Sequence, residues 1–266
     1  MQIKVLGPLE ARLAGVPVTP TASKPRQLLA LLGLHAGRVV TMADLIEELW
    51  GAEPPRSAVT TLQTYVLRVR RRIDAAAGAT SAKDLLVTRY GGYLLDLDPA
   101  AVDVTTFERL ATAGRDAVDA GLPEEASALL GQALAVWRGP VLADVRIGPR
   151  LAEEVARLEE ARLGVQETRI DLDLSLGRHR GVLADLSLLT AQHPMNENFH
   201  AQHMIALYRA GRPWRALESY RALHERMVDR LGLVPSERLR RLHEAVLHAD
   251  STLDVPDVNV LHTFAS

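Results

Sequence analysis

The 266-residue chain contains no cysteine. That excludes disulfides, thiolate zinc sites and cysteine nucleophiles, and it fits a reducing compartment. Long apolar runs are also missing, since "LLALLGLHAG" is too short to span a bilayer. The N-terminus "MQIKVLGPLE" lacks the apolar centre of a secretion signal. The chain is therefore expected in the cytoplasm, with no membrane contact. Phosphate-cradling loops of the form GxxxxGK[ST], or GxGxxG after a strand, do not occur. No nucleophile motif frames the serines, and no receiver-like acidic pocket is evident. His200 and His203 stand three apart on an expected helix, but no third ligand accompanies them. No enzyme activity, metal or cofactor is expected.

Charge excess is missing overall, with a formal net charge of −2, but the charge is uneven. Residues 1–98 carry 12 Lys+Arg against 9 Asp+Glu, whereas 99–266 carry 19 against 24. The stretch 54–93 alone holds 7 against 2. A basic segment within a mildly acidic chain points to a local anionic partner.

The first hundred residues alternate short strands and helices. "QIKVLG", "LEARLAG" and "VPVTP" read as strands. "SKPRQLLALLGLHAG" reads as a helix with Ser23 as cap, Pro25 in the first turn, a stripe of Leu28, Leu31 and Leu32, and Gly37 past its end. "TMADLIEELWG" places Thr41 and Asp44 at capping-box spacing and should bury Met42, Leu45, Ile46 and Leu49. "AEPPR" is a turn. "GATSAKD" reads as a loop, and Leu85–Thr88 with Tyr93–Leu97 as a hairpin around Arg89-Tyr90-Gly91-Gly92.

Between turn and loop lies "SAVTTLQTYVLRVRRRIDAA". At about 100° per residue, Leu62, Val66, Val69 and Ile73 share one sector. The opposite sector holds Thr60, Thr64, Leu67, Arg68 and Arg71. Gln63 and Arg70 flank it on one side, and Thr61, Tyr65 and Arg72 on the other. Ser57 is placed as the cap. Small polar residues followed by arginines suit a major groove, where Arg pairs with guanine O6 and N7. An arginine at the tip of the following hairpin suits the adjacent minor groove.

The remainder, to about residue 249, reads as helices broken by glycine and proline. Three stretches repeat a glycine followed five residues later by a small or β-branched residue: Gly121/Ala126, Gly177/Val182 and Gly211/Ala216. Gly177 to Gly211 spans 34 residues, the tetratricopeptide period. Gly121 to Gly177 spans 56, and the surplus falls around "WRGPVLADVRIGPR". Leu207, Tyr208, Ala216, Leu217 and Tyr220 fit helix-packing positions. The last residues, 250–266, are expected to form a flexible tail.

"VLRVRRRI" with "VTRYGGYLL" resembles the recognition helix and wing of OmpR-type effector domains. Together with "VLGPLEARLAGVPV", "ALAVWRGPVLADV" and "LYRAGRPWRALESYRALHERMVDRLGLVPSERLRRLHEAVL", the chain resembles the Streptomyces antibiotic regulatory protein (SARP) family over about residues 2–248. The resemblance implies a mixed fold. An α+β winged helix-turn-helix over 1–98 precedes an all-α, tetratricopeptide-like bacterial transcriptional activation domain over 99–249. It also implies a transcriptional activator of antibiotic biosynthesis genes, located at the nucleoid. Such an activator binds double-stranded promoter DNA at direct repeats beside a second protomer, and recruits RNA polymerase through sigma and the alpha C-terminal domain. Larger relatives append an ATPase module.

On that reading Thr60, Thr64, Arg68 and Arg71 face base edges and nearby phosphates, with Ser57, Thr61, Gln63 and Tyr65 beside them. Arg56, Arg70 and Arg72 hold phosphates, Lys24 and Arg26 clamp the DNA backbone, and Arg89 enters the minor groove. Glu47, Glu48, Trp50 and Glu53, around the turn before the recognition helix, are placed as the polymerase contact. The competing reading is a protein-interaction scaffold whose winged helix does not bind DNA.

Overall fold

The computed structural model describes residues 1–76 and 81–254. The described residues divide into two compact units: those of 1–116 with 128–165, and 117–127 with those from 166 to 254. Residues 128–165 of the helical region thus pack within the first compact unit.

The first unit opens with an antiparallel sheet of β1 (Gln2–Lys4), β2 (Glu10–Leu13) and β3 (Val16–Pro17), in that order. Helix α1 (Ser23–Leu34) follows. Ser23 begins the helix rather than capping it; Ala22 is the N-cap and supplies no side-chain bond. The buried set of α1 is wider than the leucine stripe and includes Gln27, Leu29 and Ala30. A helix enclosed on most sides loses its narrow apolar face.

Strand β4 (Val39–Thr41), which the sequence did not announce, leads into α2 (Met42–Trp50). Thr41 caps α2, accepting from the Asp44 amide, and its hydroxyl meets Asp44 Oδ2 at 2.6 Å. Leu45 and Leu49 are buried as expected, whereas Met42 and Ile46 are half-buried.

Helix α3 (Ala58–Ala76) buries Leu62, Val66, Val69 and Ile73, the expected stripe, together with Ala58. Residues 77–80, which include the first three of the expected loop, lie outside the described residues. The remainder of that loop is a short helix, α4 (Ala82–Leu85), capped by Ser81. Leu85 therefore ends a helix instead of starting a strand.

Strands β5 (Leu86–Arg89) and β6 (Gly92–Leu95) form the hairpin, and β6 also pairs with β4, giving the order β4-β6-β5. A Cβ at Gly92 would run into the Val40 carbonyl oxygen, so the approach of β4 requires glycine there.

Helices α5 (Asp103–Asp119), α6 (Pro123–Ala135) and α7 (Pro149–Ser175) follow. In the first unit Asp103 accepts from the Val5 and Leu6 amides at 2.8 and 3.1 Å. Burial raises its carboxyl above the usual range, opposed by those amides. The surplus stretch between α6 and α7 meets the residues just after β1, with Arg138 N–H donating to Leu6 O and Leu142 N–H to Val5 O. Trp137 packs edge-on against Phe107 at 5.3 Å.

The second unit contains α8 (Leu183–Gln192), α9 (Glu197–Arg209), α10 (Pro213–Leu231) and α11 (Glu237–Leu247). The repeated glycines all adopt positive φ, +70° at Gly121, +75° at Gly177 and +74° at Gly211. The small residues five positions on, Ala126, Val182 and Ala216, are buried. Left-handed glycine ends one helix, and the small side chain lets the next pack closely.

Met204, Leu207, Ala216, Tyr220, Leu223 and Leu239 belong to one core cluster, against which Tyr208 and Leu217 pack. Leu253 joins that cluster from a 3-10 turn at Ser251–Leu253. The expected flexible tail is thus anchored at its start; residues 255–266 lie outside the described residues.

Candidate nucleic-acid interface

Burial of one side of α3 leaves the other side exposed. Thr60, Gln63, Thr64, Leu67, Arg68, Arg71 and Arg72 are exposed, and Thr61, Tyr65 and Arg70 are half-buried at the flanks. Ser57 and Arg56, just before the helix, are exposed too. The Ser57 carbonyl accepts from the Thr61 amide, and its hydroxyl meets Thr61 Oγ1 at 3.4 Å. Among the described residues, Arg56, Arg68, Arg71 and Arg89 make no ion pair. Four cations without acidic partners in one unit leave charge for an anion from outside.

Flanking arginines are engaged within the fold. Arg70 Nε and Nη2 donate to the Leu86 carbonyl at 2.9 and 2.6 Å, and Nη2 also reaches Thr88 Oγ1. This fork ties α3 to β5 and fixes the hairpin beside the helix. Arg72 donates to Thr19 O and Thr21 Oγ1 at 3.1 and 3.2 Å. Arg68, Arg71 and Arg72 line a hollow of about 260 Å³ with Thr21, Ala22 and Pro25. The N-terminus of α1, without a side-chain cap, opens into it. Uncapped amides and guanidinium groups at one hollow have the charge that suits an anion.

At the hairpin tip Arg89 and Tyr90 are exposed, and Gly91 takes φ +77° to close the two-residue turn. The sequence placed Leu67 in the outer sector and Tyr90 in the hairpin turn but gave neither a role. Leu67 could have had one, because an apolar residue opposite the buried stripe has no packing role.

Two expected backbone clamps are occupied. Arg26 donates to Leu9 O and Pro20 O and pairs with Asp144, so it fastens α1 to loops of its own unit. Lys24 Nζ donates to Leu49 O and lies 5.7 Å from the Trp50 ring centroid. Burial lowers the Lys24 pKa, as does Arg146. Trp50 stacks on Tyr65 at 6.2 Å, and the Arg68 guanidinium lies 5.9 Å from the Tyr65 ring. Lys24, Trp50, Tyr65 and Arg68 form a ladder across α1, α2 and α3 that braces Arg68.

Glu48 corrects the expected surface contact. It is 2% exposed. Its carboxylate accepts from Gln27 Nε2 at 2.6 Å, and from the Gly148 and Leu151 amides at 2.8 and 2.9 Å. The residue is an inward cap for the start of α7, where amides and helix dipole favour an anion. Gly148 is required, since a Cβ there would strike the Glu48 carbonyl. Glu47 is exposed and pairs with Arg150 at 2.9 Å. Glu53 is exposed, and Trp50 is half-buried in its stack.

Comparison with known proteins agrees with this arrangement. The model described as "Transcriptional regulatory protein, C terminal" matches residues 17–95, and "Bacterial transcriptional activator domain" matches 102–247. The chain is 55% identical to the regulatory protein DnrI of Streptomyces peucetius, over 96% of this chain and 94% of that one. It is 39% identical to the transcriptional regulator RedD of Streptomyces coelicolor, over 96% and 73%. Among solved structures it resembles Mycobacterium tuberculosis EmbR in complex with a low affinity phosphopeptide. The TM-score is 0.84 at 32% identity, covering 93% of this chain and 65% of that one. With an exposed cationic helix beside a hairpin, both domain models in order and near-full-length relatives, the chain belongs to the Streptomyces antibiotic regulatory protein family of transcriptional regulators.

Proposed function

We propose that the protein is a sequence-specific DNA-binding activator of antibiotic biosynthesis genes that docks α3 in the major groove of promoter direct repeats. The observation that carries this reading is the face of α3 opposite its buried stripe. Its short polar residues precede Arg68 and Arg71, which have no acidic partners among the described residues. Thr60, Gln63, Thr64 and Arg68 then meet base edges, and Leu67 offers an apolar contact for thymine methyls. Arg71, Arg72 and the N-terminus of α1 seat a phosphate, Arg56 holds another, and Arg89 with Tyr90 reaches the minor groove. Arg70 acts indirectly, by holding the hairpin.

The proposal includes recruitment of RNA polymerase through sigma and the alpha C-terminal domain. Glu47 and Glu53 are the exposed acids near the α2–α3 turn, and Trp50 is a braced anchor behind them. Glu48 is withdrawn from this surface.

The test is binding of the full chain to a direct-repeat promoter duplex and to a scrambled duplex across a salt series. A specific activator binds the promoter much more tightly, and both affinities fall with salt as counterions are released. Equal affinity for the two duplexes, or salt-independent retention, refutes the reading in favour of a protein-interaction scaffold.

A further inference from the structure

The second unit carries a cavity of about 320 Å³ between α8, α9 and α10. That size fits a small organic molecule. His200, His203 and Leu207 come from α9 at helical spacing; Arg215, Ser219, Ala222 and Arg226 come from α10; Leu183 and Ser187 come from α8. Arg212 closes the end at the α9–α10 turn. Three guanidinium groups thus face one hollow, against a single acid, Glu218. Among the described residues none of the three makes an ion pair, and Arg215 has only the neighbouring Trp214 ring, 5.5 Å away.

Histidine chemistry points the same way. His200 is 3% exposed and holds Ser219 Oγ with Nδ1 at 3.1 Å. Nδ1 of His203 is buried without a hydrogen-bond partner, and the His200 ring is also within reach of the Pro194 main chain. An unpaired ring nitrogen in a buried site costs stability unless something meets it. Two histidines alone suggest a metal, but three arginines repel a cation and no third ligand is present among the described residues.

We propose that this cavity binds a small organic anion, its phosphate or carboxylate seated by Arg212, Arg215 and Arg226 and its apolar part against Leu183 and Leu207. Guanidinium forks suit both head groups. Burial holds the His200 pKa down at about 4, helped by Arg226 and His203, so the ring is neutral in the empty site. His203 is lowered by burial and by Arg215. Glu218 is the one acid among the lining residues, and the polar groups that α8 contributes are hydroxyls, Ser187 and Thr190. An anion entering this field raises both histidine pKa values and binds more tightly as pH falls.

The experiment titrates the full chain with phenyl phosphate, benzoate, inorganic phosphate and zinc chloride, reading the ring resonances of His200 and His203 by NMR. The expected result is a saturable shift with phenyl phosphate or benzoate, tighter than with inorganic phosphate, and an upward move of both ring titrations. Whichever aromatic anion binds better identifies the head group. Arg215→Gln and Arg226→Gln should each weaken binding about tenfold, the worth of one charge-assisted bond. Arg68→Ala should leave it unchanged, which separates this cavity from the cationic face of α3. Linear shifts without saturation, equal affinity in the arginine variants, or saturation by zinc alone would overturn the proposal.

Discussion

Arg68 and Arg70 sit two positions apart on α3 and meet different surroundings. Arg68 is exposed and braced only by the Tyr65 ring, whereas Arg70 is spent on Leu86 and Thr88. Arg68→Ala should therefore cost roughly 1–3 kcal/mol of binding to the promoter and relax preference at its base, with an unchanged melting temperature. Arg70→Ala should lower the melting temperature and weaken binding through a loosened hairpin. Binding isotherms and thermal melts on the same preparations separate the two; a melting loss with Arg68→Ala would reverse the assignment. Glu48 and Glu53 make a second pair. Glu48→Ala strands the Gly148 and Leu151 amides at the start of α7 and one N–H of Gln27, whose other still meets the residue-48 carbonyl, and should destabilise the first unit by about 3 kcal/mol. Glu53→Lys should leave urea stability and DNA affinity intact or slightly higher, yet lower transcription with purified polymerase. Hydrophobic periodicity separated inward from outward residues on α3, where one face meets solvent. It failed at Glu48, because the second of two adjacent glutamates reads as surface unless the distant amides of Gly148 and Leu151 are known. Arg26 misled for the same reason, since its acceptors on Leu9, Pro20 and Asp144 are set by the fold.

Among elements, α3 and the hairpin were legible because each carries a local signal, a helical stripe in one and Gly91-Gly92 in the other. Strand β4 was not, because Val39–Thr41 is three residues long and becomes a strand only through β6. Helix α4 was hidden by its single turn. The hairpin depends on contacts at two levels. Gly92 admits the Val40 carbonyl, and Arg70 grips β5. Gly92→Ala should separate β6 from β4 and displace Arg89 and Tyr90 without touching α3. DNA affinity should fall while base preference in the major groove persists, as measured by selection from a randomised duplex library. Altered major-groove preference would mean that the hairpin positions α3 itself.

At the scale of the whole molecule, histidines concentrate acid sensitivity in the second unit. His179, His200, His203 and His243 all have lowered pKa values, with burial the largest cause at each. A histidine kept neutral by folding binds fewer protons than its unfolded counterpart. Its contribution is complete above the unfolded value near 6.5 and is lost as pH falls toward the folded one, about 4 for His200. His200 alone accounts for on the order of 3 kcal/mol across that window. Urea unfolding of the second unit, followed by Tyr220 NMR resonances, should show a midpoint falling steeply from pH 7 to pH 5, and less steeply in His200→Gln. A flat profile would mean that the rings are protonated in the folded state. The helical array was visible in the glycine spacing, but not the assignment of residues 128–165 to the first unit. That assignment rests on distant contacts such as Asp103 with Val5 and Leu6, Asp144 with Leu9, and Glu48 with Gly148 and Leu151. In each of these a carboxylate meets main-chain amides, which every sequence supplies except at proline. Recombination between diverged relatives near residue 100 would therefore keep these joints, provided that the carboxylates, and glycine at position 148, survive. Exchange of the segment before residue 100 between regulators thus depends on those side chains, whereas deletion of everything after it takes the Gly148 and Leu151 amides from Glu48 and leaves its carboxylate only Gln27.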